Sequence, residues 1–241
     1  LEIHQKALTI DSHTDTPLVF ARENFDMSIR HDTYETSTKV DFPRMKEGGL
    51  DGIFMAVFLG QGARDAENHS RITAKTHQIL DSIYSVVERN FSLAEIALTS
   101  EDIKTIEKKT KHAVYIGIEN GYALGGDINN VEVFYNRGSR YLTLCHTKNN
   151  DLCDSSTDST EHDGVSAFGK EVIKEMNRLG MLIDVSHISD KSFYDVLELS
   201  KTPIIASHSG CRALLDHPRN LPDSLIKRIA AKGGVICVPF A

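Results

Sequence analysis

The 241-residue sequence predicts an α/β fold, a (β/α)8 barrel of the TIM type, on three observations. Strand-like and helix-like apolar periodicities alternate along the chain, as repeated βα units around a parallel sheet require. Short apolar runs end in metal-competent side chains: His13 with Asp15 in TIDSHTDTP, Glu119 in VYIGIENGYA, His146 in YLTLCH, His187 in MLIDVSH and His208 in IIASHSG. Such side chains gather at the C-terminal rim of a parallel barrel, which is where one site would be assembled from distant parts of the chain. The length suits a barrel with one core, so residues 1–241 are expected to form one domain.

The elements follow in order. Residues 7–12 are the first expected strand, and a polar stretch without periodicity, 22–41, reads as a long functional loop. The second strand is 52–59. Between 65 and 90 the residues Ile72, Ile79, Leu80, Ile83, Val86 and Val87 recur at helical spacing. The third strand is 113–118 and the fourth 141–145, after which 147–165, rich in Asn, Asp, Ser and Thr, reads as a rim loop. Phe168, Val172, Ile173, Met176 and Leu179 mark a helix face that Gly180 closes. Residues 181–185 form the fifth strand; Ser189 and Asp190 open a helix to Leu199; residues 204–206 form the sixth strand. A helix from Pro222 to Lys232 and a seventh strand, 233–240, complete the series. Because a closed barrel takes eight strands, the barrel is expected to be truncated after the seventh, its C-terminal part missing from this chain.

A net charge of −7 with interspersed signs and no polybasic block gives no footprint for nucleic acid or an anionic membrane surface. No apolar run is long enough for a membrane span, and no signal-peptide pattern opens the chain. Cys145, Cys153, Cys211 and Cys237 lack the paired spacing of a structural zinc site, and Cys145 and Cys237, inside apolar runs, are expected to be buried small hydrophobes. Localisation and redox compartment are not legible.

Residues at i and i+2 of a strand share a face, so His13 and Asp15 can converge on one ion. Imidazole with carboxylate suits zinc, and a two-ion site wants one bridging carboxylate, for which Glu119 is the natural choice, with His187 and His208 on the second ion. Two neighbouring ions would make a shared water a hydroxide near neutral pH and polarise a carbonyl for attack, which is amide or ester hydrolysis. His146 is placed to hydrogen-bond the oxyanion or to orient a ligand. Arg219 is read equally as a clamp for a substrate carboxylate or as a residue that staples its loop. His4, His31, His69, His77, His112, His162 and His217 lack rim placement and are expected at the surface.

In this order DSHTDTP, IGIENG, YLTLCH, DVSHIS, IASHSG and PRNLPD resemble the membrane dipeptidase (renal dipeptidase) family of binuclear zinc peptidases, over essentially the whole chain. The resemblance implies a (β/α)8 barrel hydrolysing dipeptides, many members accepting a D-residue at the C-terminal position. By motif, His13 and Asp15 would bind one zinc, Glu119 would bridge, and His187 and His208 would bind the other. His146 would contact substrate near the scissile carbonyl, and Arg219 would bind its carboxylate. The family's further aspartate after the eighth strand has no counterpart here, since Asp216 and Asp223 do not occupy it. Exported, lipid-anchored, periplasmic and cytoplasmic members all exist. The expected partner is a small dipeptide, with a homodimer left open. Two other functions stay open on the residues: a different binuclear amide or ester hydrolase, and a degenerate barrel acting as a binding module.

Overall fold

The computed structural model describes residues 2–22 and 25–239. Phe240, the last residue of the expected seventh strand, and Glu23 and Asn24 of the first long loop lie outside them, as do Leu1 and Ala241. The described residues form two compact units, one of residues up to 58 with 77–117, the other of 59–76 with those from 118 onward.

In the first unit α1 (Glu2–Lys6) precedes β1 (Ile10–Thr14). Two helices, α2 (Thr33–Thr36) and α3 (Phe42–Gly48), follow in and after the stretch expected to be loop. Each is opened by an aspartate: Asp32 accepts the N–H groups of Tyr34 and Glu35, and Asp41 accepts that of Arg44. Those bonds satisfy donors that the first helical turn leaves unpaired, so short helices form without long apolar periodicity. Next come β2 (Gly52–Phe58), α4 (Ala66–Arg89), whose residues from 77 onward lie here, β3 (Ala94–Ile96), α5 (Asp102–Glu107) and β4 (His112–Glu119), whose residues up to 117 lie here. β3 was not expected from sequence, because three residues are too few to show an alternation; it pairs in parallel with β4 through Ala94 and His112. Ile53, Met55, Val57 and Ile116 have no exposed surface. This continuous burial is what a parallel strand covered on both faces demands, and each such side chain contributes about 1.5–3 kcal/mol.

In the second unit are α6 (Asn129–Asn136), β5 (Ser139–Thr143), α7 (Ala167–Leu179), β6 (Leu182–Asp184), α8 (Asp190–Leu199), β7 (Ile205–Ala206), α9 (Asp223–Ala231) and β8 (Val235–Ile236). Its strands follow the order β5-β6-β7-β8, each neighbouring pair parallel, as βα repetition predicts. The helix expected to end at Gly180 does so: α7 starts at Ser166, whose hydroxyl accepts the Gly169 N–H, and Gly180 takes the left-handed φ of 76°. Val172, Ile173 and Met176 form its buried face. α8 opens on Ser189 and α9 on Pro222, as expected.

Strands β6, β7 and β8 are shorter than the apolar runs that announced them. At β6 the cause is visible. After the Val185 N–H has bonded the Ile205 carbonyl, the Asp184 carboxylate takes the backbone N–H groups of Ser186 and Ser207, so a side chain replaces the ladder from Ser186 on. Cys145 is buried as expected, whereas Cys237 is only half-buried beside the short β8. No helix among the described residues is long and apolar enough to cross a membrane.

Candidate metal centre

Glu119 ends β4 and belongs with the second unit, where its carboxylate is almost fully buried. Its Oε1 lies 2.9 Å from Nε2 of His187, 3.3 Å from Nε2 of His208 and 3.8 Å from Nε2 of His146. The Nε2 atoms of His187 and His208 are 2.8 Å apart, and the rings of His146 and His187 are 4.2 Å apart between centroids. The sequence expected these four side chains, spread over 90 positions, at one place, and within this unit they meet.

Glu119, His187 and His208 are held by the backbone and side chains around them. Asn120, which follows Glu119 with φ of 87°, donates from Nδ2 to the Leu59 carbonyl, while its Oδ1 accepts from Asn150 Nδ2 and the Tyr122 N–H. Gly121 is required at this turn, since a Cβ there would sit 2.7 Å from the Leu144 carbonyl oxygen. His187 takes φ of 74°, in the left-handed region that costs a side chain like histidine about 1–2 kcal/mol. The loop 147–165 over-determines it: the Ser156 N–H donates to the His187 carbonyl at 2.8 Å, and Ser155 bridges to Ile188. His208 Nδ1 faces the Ser207 hydroxyl at 2.7 Å, and that hydroxyl donates to Asp184 at 2.6 Å.

The electrostatics are those of a site short of positive charge. Burial pushes the His187 imidazole down to about 4, outweighing the pull of Glu119 in the other direction. Burial likewise lowers Arg219, against the attraction of Asp184 and Glu119. Arg219 Nη2 donates to the His208 carbonyl at 3.1 Å, while its buried Nη1 has no hydrogen-bond partner among the described residues. Burial raises the Asp184 carboxyl, yet the nearby His208 and the hydrogen bonds from Ser207 and Thr143 leave it below its ordinary value.

His13 and Asp15 lie in the first unit. The register of β1 on β2 slips between Asp11 and Thr14, and Asp15 has left the strand to stand just before a 3-10 turn, Thr16–Val19, with no side-chain capping bond. The simple i, i+2 geometry expected for this pair is therefore replaced by a bulge and a turn. The two side chains still approach, with His13 Nε2 3.5 Å from Asp15 Oδ1.

Three imidazole nitrogens and one carboxylate oxygen form a borderline-soft donor set of the type that holds zinc, and the ligand atoms of Glu119, His146 and His187 lie within 4.8 Å of one another. The residues present fit a divalent metal. Sequence reasoning missed Asp184 and Ser207, whose only signal was polar side chains inside apolar runs. It also assigned His69 and His162 to the surface. Instead His69 Nε2 lies 3.0 Å from Asp151 and His162 Nε2 lies 2.8 Å from the Asn150 carbonyl, both half-buried against the 147–165 loop. His112 is half-buried too, its Nδ1 2.9 Å from the Leu50 carbonyl in the first unit.

The family model described as membrane dipeptidase, peptidase family M19, matches residues 1–241. The chain belongs to the membrane dipeptidase family. It is 33% identical over 96% of its length to dipeptidase verJ of Clonostachys rogersoniana, of which it covers 62%, and 32% identical over 95% to dipeptidase tcpJ of Claviceps purpurea, of which it covers 56%. The chain thus spans little more than half the length of these curated relatives. Among solved structures it is similar to the probable dipeptidase PvdM from Pseudomonas aeruginosa, with a TM-score of 0.90 and 29% identity over 98% of this chain and 61% of that one. With the parallel βα order, this likeness makes the fold of this membrane dipeptidase relative the α/β, TIM-type class.

Proposed function

We propose that the protein hydrolyses dipeptides with two zinc ions, His13 and Asp15 on one, His187 and His208 on the other, and Glu119 between them. The observation that carries this reading is the convergence of three Nε2 atoms on one buried carboxylate oxygen. For His13 and Asp15 the support is the family pattern together with their mutual approach. Zinc bound by such ligands supplies Lewis acidity, which makes water nucleophilic near neutral pH and polarises a carbonyl.

The chain's own residues account for the rest. His146 is the most open of the three imidazoles around Glu119, at 23% side-chain exposure against 16% for His208 and 8% for His187. That suits a group that meets substrate, and its ring N–H would stabilise the charge developing on the scissile carbonyl oxygen. Arg219 holds its backbone partner with Nη2 and keeps Nη1 for an anion; a dipeptide's terminal carboxylate is the anion of matching size and charge.

The test combines metal analysis with a substrate panel. About two zinc per chain are expected, with hydrolysis of free dipeptides and loss of it in Glu119→Gln. Full dipeptidase activity in Glu119→Gln, or a preference for esters without a free carboxylate, would overturn the assignment.

A further inference from the structure

We infer that Asp184, acting through the Ser207 hydroxyl, is a positioning residue that sets the tautomer of His208 and so presents its Nε2 lone pair to a cation. The inference rests on the zinc reading above for the identity of that cation, but the relay itself stands on hydrogen-bond bookkeeping.

Asp184 is fully buried at the end of β6, and its two oxygens have different duties. Oδ1 accepts the backbone N–H of Ser186 at 3.0 Å and of Ser207 at 2.9 Å. Oδ2 accepts the hydroxyls of Ser207 and Thr143, both at 2.6 Å. Ser207 has a single hydroxyl proton, and a carboxylate oxygen can only accept, so that proton points to Asp184. The Ser207 oxygen can then only accept, from the Ser186 hydroxyl at 3.3 Å and from His208 Nδ1 at 2.7 Å, which puts the ring proton on Nδ1. In the neutral ring Nε2 then carries the lone pair, at the point where Glu119 and His187 converge. The His208 backbone is held in the same frame, because its N–H donates to the Ser186 hydroxyl at 3.0 Å. Among the described residues His187 has no such relay: its buried Nδ1 finds no hydrogen-bond partner there. Of these two histidines, only His208 has its tautomer fixed from outside the cluster. Ligating histidines commonly donate their second nitrogen to a carboxylate or carbonyl, and here a serine is interposed.

Asp184→Asn reverses the relay for a stated reason. Two backbone N–H groups occupy the Oδ1 position and need an acceptor there, so the amide oxygen must take that place and the NH2 must face Ser207. Ser207 then accepts from the amide and donates to His208 Nδ1, which moves the ring proton to Nε2 and blocks it. The experiment is nitrogen-15 NMR of the histidine rings in the metal-free protein, with zinc affinity measured by competition against a chromophoric chelator. Expected are Nδ1 protonation of His208 in the parent protein, Nε2 protonation in Asp184→Asn, and zinc binding weaker by about 10–100-fold. His208 keeping Nδ1–H in Asp184→Asn would overturn the inference. A tautomer switch without zinc uptake by either protein would uphold the relay and overturn the zinc reading instead. Should Asp184→Asn not fold, Ser207→Ala serves: loss of the single Nδ1–H form upholds the inference, and its retention refutes it.

Discussion

The Nε2 atoms of His187 and His208 lie 2.8 Å apart, and both face the same oxygen of Glu119. Two lone pairs cannot meet at that distance, so a proton or a cation must lie between the rings. Without metal the proton falls to His187, because Ser207 holds that of His208 on the far nitrogen. The buried cluster is therefore built to exchange one proton position for a cation, and metal should stabilise the folded chain.

Stripping with a chelator should accordingly lower the melting temperature, and zinc should restore it. A ligand at 100 times its dissociation constant adds about 2.7 kcal/mol, which for a chain of this size is a rise of roughly 5–10 °C. Differential scanning calorimetry of stripped and reloaded protein measures this directly. Identical melting temperatures would show that no ion binds the native state preferentially.

How much of this was legible before the structure depends on which physical signal each residue leaves. Glu119, His146, His187 and His208 each close an apolar run, and the alternation of strand and helix sent all four runs to one kind of position; periodicity alone carries that. Asp184 and Ser207 sit inside such runs, where a polar residue gives no sign of its role until its partners are known. β3 and α2 escaped because three or four residues are too few for a period to repeat, and the capping aspartate Asp32 is indistinguishable in sequence from any loop aspartate. The slip of β1 at Asp11 is a register event, which no single-strand pattern encodes.

The pH dependence of the metal-free protein follows from His187. Its native value is about 4 against 6.5 for an unperturbed imidazole, so between those values the unfolded chain binds a proton that the native chain refuses. Stability therefore rises with pH across this window and is lost as pH falls from about 6.5 to about 4, by about 3 kcal/mol from His187, and His112, lowered by burial, acts in the same direction. Asp184 and Asp154, both lowered carboxylates, lose their contribution in the same direction but at the acid end of the range. Urea midpoints measured from pH 7 to pH 4.5 should fall steadily, and His187→Gln should flatten the slope. A profile in which His187→Gln and the parent run parallel would contradict the assignment.

Arg219→Lys should raise KM for free dipeptides by about 10–100-fold, the effect of about 1.5–3 kcal/mol for a charge-assisted hydrogen bond. Lysine keeps the charge but not the fork, and the Nη2 bond to the His208 carbonyl leaves Nη1 as the free donor. Dipeptide amides, which lack the carboxylate, should be hydrolysed equally by both proteins. An equal loss on acids and amides would mean that Arg219 acts on the fold of its loop and not on the substrate.

Asn120 joins three segments of the second unit through one buried amide: Leu59 after β2, the turn at Tyr122 after β4, and Asn150 in the long loop. Removing that amide leaves the Leu59 carbonyl and the Tyr122 N–H without it, and an unmatched buried polar group costs about 1–3 kcal/mol. Alanine at φ of 87° adds about 1–2 kcal/mol of backbone strain, which asparagine tolerates better. Asn120→Ala should thus destabilise the protein by about 3 kcal/mol, read as a lower urea midpoint at unchanged m-value. Asn120→Gly, which relieves the strain but not the lost hydrogen bonds, should recover about 1 kcal/mol of that. If alanine and glycine cost the same, backbone strain plays no part and the amide bonds carry the whole effect; if neither costs more than about 0.5 kcal/mol, the amide does not hold Glu119 in place.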